Sequence, residues 1–125
     1  IVLPEGLIER GTADFVRRLQ VDMYSQGVPE AEIAKHLEQN QAGSREGVVA
    51  SMQAFFLLEH IGNREKIYVT ESEVEDRVTQ MASRYGRWPH EVKKYLETND
   101  LMADMRRKMR EEKVRGFLVD QANIT

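Results

Sequence analysis

Side chains able to do chemistry are few in this chain and poorly grouped. His36, His60 and His90 fall on three different predicted helices. None has a carboxylate or a second histidine at a firm ligand spacing, so surface or boundary histidines are the plainer expectation. Glu71, Glu73, Glu75 and Asp76 form the densest carboxylate cluster. Paired carboxylates can share acid–base work, but these stand at a predicted helix start, where capping and the helix dipole account for them. Ser44, Ser51, Ser72 and Ser83 lack a nucleophile-elbow setting. Gly6, Gly11, Gly43 and Gly47 build neither a P-loop nor a dinucleotide pattern. Cysteine is absent, which excludes disulfides, thiolate metal sites and a cysteine nucleophile. No catalytic residue, metal or cofactor is expected, and the segment does not read as an enzyme.

Arg106, Arg107, Lys108, Arg110, Lys113 and Arg115 form a basic run of the kind that can meet phosphate backbones. Glu111 and Glu112 interrupt it, and helical rotation spreads it over more than one face. A solvated face laced with i,i+4 pairs is the expectation, with an RNA contact as the rival. The net charge of −3 gives no general attraction to nucleic acid or acidic membranes. No apolar run approaches the roughly 18–20 residues that span a bilayer, so no membrane partner is expected. The opening IVLPEGLIER has neither the basic start nor the cleavage site of a signal peptide. Without an initiator Met, the chain reads as a piece of something longer.

With 125 residues, 41% of them hydrophobic and 31% charged, one helical domain with long solvated faces is expected. Val48, Val49, Met52, Phe55, Phe56, Leu58 and Ile61 recur at helical spacing in the densest apolar run. That run predicts a central helix against which the others lean, N-capped by Ser44 and closed by Gly62. Before it, a long helix is predicted from about Pro4 to Gln26, stopped by Gly27, then a short one from Pro29 to about Gln39. Asn40 to Gly43 reads as a loop, and Arg64 to Val69 as a connector. Thr70 and Glu73 form a capping box, with Val69 and Val74 as its hydrophobic staple. The helix they open carries Val74, Val78, Met81, Ala82 and Tyr85 and stops at Gly86. Trp88 and Pro89 start a short helix bearing Val92, Tyr95 and Leu96. Asn99 or Asp100 is expected to cap a last helix from about Leu101 to Ala122. No strand pattern is sustained. The order long, short, long, then again long, short, long hints at two similar halves.

What remains is apolar surface. Phe55, Phe56, Phe117 and Leu118 are expected in the core. For Met23, Met81, Tyr85, Val92 and Tyr95, core packing and a client-binding surface are both open, because methionine adapts to varied apolar partners. Close approach of another backbone would explain Gly11.

Leu3-Pro4-Glu5-Gly6-Leu7-Ile8-Glu9-Arg10, the block from Arg64 through Thr70, Glu73 and Val74 to Tyr85, and Pro89, Glu91, Val92, Tyr95, Asn99 and Leu101 follow one another in an order that resembles a known family. The chain is similar to the carboxy-terminal chaperone domain of bacterial trigger factor over nearly its whole length. The resemblance implies an all-α fold of extended antiparallel arms, one from about 4 to 62 and one from about 70 to 122. It also implies an ATP-independent chaperone domain of the bacterial cytoplasm that holds unfolded or nascent polypeptide on scattered apolar patches. Carried over by position, the patch residues are Phe15 and Met23 on the first arm and Met81, Tyr85, Val92 and Tyr95 on the second. The family's ribosome-docking signature and its prolyl-isomerase domain are missing from this segment. Ribosome contact and proline isomerisation would therefore belong to other parts of a full protein. A structural module closing a homodimer or a specific partner interface is the rival from another class.

Overall fold

The computed structural model describes residues 5–39 and 45–124. Six helices follow one another: α1 (Glu5–Ser25), α2 (Glu30–Gln39), α3 (Arg45–Arg64), α4 (Glu71–Tyr85), α5 (Pro89–Thr98) and α6 (Met102–Ile124). No strand occurs among the described residues, and the fold is all-α. The expected Ser44 cap and the Asn40 to Gly43 loop lie outside the described residues.

One closing motif ends four of the six helices. Val28 N–H reaches Met23 O, Ile67 N–H reaches Gly62 O, Arg87 N–H reaches Ala82 O, and Leu101 N–H reaches Leu96 O, at 2.7–3.1 Å. Each is the long bond of a Schellman turn, which needs a left-handed residue just before the donor. Gly27 (φ 86) and Gly86 (φ 62) supply two of these residues, as their sequence positions predict. Lys66 (φ 54) and Asp100 (φ 56) supply the others, and both overturn an expectation. α3 does not stop at Gly62 but runs to Arg64, and Gly62 instead offers its carbonyl to the turn. Asp100 closes α5 rather than capping α6. Asn99 also looks back, its side-chain amide donating to Tyr95 O at 2.9 Å.

α4 starts as its sequence demands. Glu73 N–H donates to Thr70 Oγ1 at 3.1 Å, and Thr70 N–H donates to Glu73 Oε1 at 2.9 Å. The Thr70 N–H bond first, then Lys113 and the Thr70 hydroxyl, hold the Glu73 carboxyl down to about 2.

The main core gathers Val21, Tyr24 and Ile33 from α1 and α2 with Val74, Val78, Met81, Val92, Leu96, Leu101, Met105 and Met109 from α4 to α6. Both halves of the chain thus share one interior. The densest apolar helix is not its centre. α3 joins only a small second cluster, in which Leu58 and Ile61 meet Val114 and Ile67. Phe55 and Phe117 are half-buried, while Phe56 (44%) and Leu118 (38%) stay exposed. α3 is apolar around too wide an arc for its two neighbours, α1 and α6, to cover it.

Candidate functional site

The six expected patch residues part into three groups. Met81 (1% exposed) and Val92 (0%) are core residues. A polypeptide could touch them only if α4 and α5 came away from α1. Met23, Tyr85 and Tyr95 are half-buried against the main core. Tyr24 lies between two of them, its ring stacked on Tyr85 (centroids 4.6 Å apart) and on Tyr95 (3.9 Å). The Tyr85 hydroxyl lies 2.8 Å from Tyr24 O and 2.6 Å from Val28 O, and so donates to the end of α1. The Tyr95 hydroxyl accepts from Gln20 Nε2 at 3.1 Å. Burial pushes the Tyr24 phenol up to about 12 and raises that of Tyr85 too. The three rings are a joint between α1 and the α4–α5 pair.

Phe15 alone of the six opens onto a cleft away from that joint. Between α1, α3 and α6 lies a cleft of about 280 Å³, with Phe15, Met52, Phe55 and Phe56 as its apolar lining and Arg10, Asp14, Arg18, Asp104 and Arg107 as its charged one. Gly11 is buried beneath Met52. A Cβ at Gly11 would press on Met52 Sδ, so the close neighbour here is the end of a flexible side chain and not a second backbone. A wider groove, about 960 Å³, runs between α2 and α5, with Ile33, Leu37 and Tyr95 on its floor. Arg87 bridges it, donating to Glu30 at 2.8 Å. Met52 was the residue sequence reasoning missed. Its place in the apolar run of α3 reads as core, and only the tertiary structure shows it lining a cleft.

The basic run is largely spent within the fold. Arg106 pairs with Glu71 at 2.9 Å, Lys108 with Asp22, and Lys113 with Glu73 at 3.0 Å. Arg110 donates to Ile67 O at 2.9 Å and to Asn63 Oδ1 at 2.7 Å. These contacts tie α6 to α1, α3 and α4 and leave little free charge for a phosphate backbone. Between α1 and α6, Arg17 meets the buried Asp104 at 3.1 Å, and Arg18 meets the buried Glu111. Among the described residues no three potential metal ligands gather, and no helix is long and apolar enough to cross a membrane.

The described residues thus form an all-α body with accessible apolar clefts. Residues 1–120 match the model of the family described as "Bacterial trigger factor protein (TF) C-terminus". The chain belongs to that family, as its carboxy-terminal domain. It is 31% identical over 124 residues to a trigger factor of Xanthobacter autotrophicus, covering 98% of this chain and 27% of the relative. It is 27% identical to one of Syntrophotalea carbinolica and 26% identical to one of Opitutus terrae, each over 98% of this chain and 28% of the relative. The chain thus spans a little over a quarter of the length of these curated relatives. No solved structure matches.

Proposed function

We propose that this domain holds unfolded or nascent polypeptide on its apolar clefts without nucleotide, as part of a longer chaperone of the bacterial cytoplasm. Membership of the trigger factor family supports the chaperone reading. The observation that carries the mode of action is the α1–α3 cleft, an accessible apolar floor beside a charged lining. Phe15 lines it. Met23, Tyr85 and Tyr95 offer weaker contact from the joint, and Met81 and Val92 act from beneath by holding α4 and α5 in place. Burying about 100 Å² of client surface in one cleft yields roughly 2–3 kcal/mol, much of which ordering costs remove. The cleft and the α2–α5 groove together gain through effective concentration, which gives capture that exchanges rapidly. Contact with the ribosome, in this reading, runs through parts of the longer protein outside this chain.

The test is a titration with a permanently unfolded, apolar-rich polypeptide at low and high salt, followed through Trp88, which is 70% exposed. The expected result is binding that survives high salt, suppresses client aggregation and weakens about fivefold in Phe15→Ala. A single saturable partner, or a stable dimer with no holding activity, would replace this reading with the interface module. Binding lost in high salt would turn it toward the basic run.

A further inference from the structure

We infer that Met52 is an oxidation site, and that a hydroperoxide acting on its sulfur closes the α1–α3 cleft to apolar ligands. The effect on clients rests on the polypeptide-holding reading above; the site itself does not. Three methionines, Met81, Met105 and Met109, are buried in the main core. Of the three half-buried ones, Met23 and Met102 pack against that core, and Met102 also lines a more polar groove with Glu71, Glu75, Lys93 and Arg106. Met52 instead forms part of the floor of an open cleft. A thioether lone pair attacks the outer oxygen of the hydroperoxide. The S–O bond forms as the O–O bond breaks, and the proton passes to the departing oxygen, giving water or an alcohol. Sulfur loses two electrons and the peroxide gains them. The product is a sulfoxide, polar and chiral where the thioether was apolar.

Met52 lies over Gly11, where a Cβ would press on its sulfur, the end of a flexible side chain. An oxygen added to that sulfur enters the cleft lined by Phe15, Phe55 and Phe56. There it takes up volume and puts a polar oxygen beside the phenylalanine rings, which disfavours an apolar guest. A sulfoxide reductase would reverse the change.

The experiment treats the protein with graded hydrogen peroxide and maps sulfoxides by peptide mass. It then measures affinity for the unfolded polypeptide and for an apolar naphthalene dye, in wild type and in Met52→Leu. The expected result is oxidation of Met52 ahead of the other five methionines, with a roughly tenfold loss of affinity in wild type. Reductase treatment should recover that loss. In Met52→Leu, whatever its starting affinity, peroxide should change little. Oxidation of Met23 or Met102 first, or an equal peroxide loss in Met52→Leu, overturns the inference. Reduced protein that binds the dye but no polypeptide would overturn the holding reading instead, and the dye would still decide the effect of oxidation on the cleft.

Discussion

The joint around Tyr24 and the cleft between α1 and α3 are built from similar residues and come out differently. At the joint, α1 meets α4, α5 and α6, and Tyr24 packs against Tyr85 and Tyr95. Tyr24 is stacked on both faces. Tyr85 ties its hydroxyl to the end of α1. On the cleft side, α3 leans on α1 and α6, and Phe56 and Leu57 are left 44% and 60% exposed. Apolar density along the chain is highest at α3, yet burial is highest at α4 to α6. Burial depends on how many neighbours surround a helix, and the number of apolar residues it carries does not set that. The same contrast separates roles, because rings stacked together at the joint stabilise, while an uncovered apolar floor remains available to a ligand.

The largest expected effect breaks the joint. Tyr24→Ala removes both stacks and leaves a cavity, and Met81→Ala removes a side chain wholly enclosed beneath them. Each should lower unfolding free energy by about 3–5 kcal/mol. Phe56→Ala on the cleft side should cost about 1 kcal/mol or less. Urea unfolding of the three variants measures the contrast, and equal losses would dissolve it. A smaller effect strengthens the looser side. Lys66 closes α3 in the left-handed region, which costs a residue with a Cβ about 1 kcal/mol. Lys66→Gly should therefore stabilise by up to about that amount, seen as a rise in the urea midpoint.

The smallest effect is read from pH. Glu73 is held at about 2, below its ordinary 4.5, by Thr70 first and Lys113 after. A carboxyl depressed on folding stabilises above its unfolded value and loses that contribution as pH falls toward its folded one. The difference in stability between wild type and Glu73→Gln should therefore narrow from pH 5 down to pH 2. A constant difference would mean that the charge contributes nothing. At the alkaline end the sign reverses. Tyr24 is raised to about 12 from an ordinary 10, so the joint weakens as pH rises through that window.

Much of the fold was legible because its signals are local. The capping box of Thr70 and Glu73, the left-handed Gly27 and Gly86, and the alternation of long and short helices all follow from residues a few positions apart. The misplaced end of α3 and the misread cap before α6 share one cause. Lys66 and Asp100 take left-handed positions where glycine is the usual signal, so Gly62 was read as the end of α3 and Asp100 as a cap of α6. The candidate site was legible only in outline. Phe15, Met23, Tyr85 and Tyr95 keep accessible surface, but nothing in a periodic apolar stripe separates Met81 and Val92, which the joint encloses, from Met52, which the cleft leaves open.

By itself, then, the sequence determined the helices, most of their ends, the absence of thiol chemistry and the resemblance that family membership bears out. These rest on hydrogen bonds and steric preferences spanning one or two turns. Which apolar faces are covered was decided only by the tertiary structure. Burial is a property of neighbours brought from 50 or more positions away, as when Tyr85 reaches Val28 and Tyr24 across gaps of 57 and 61 residues. Gly11 shows the dependence most sharply, because its value lies in the Met52 side chain packed over it.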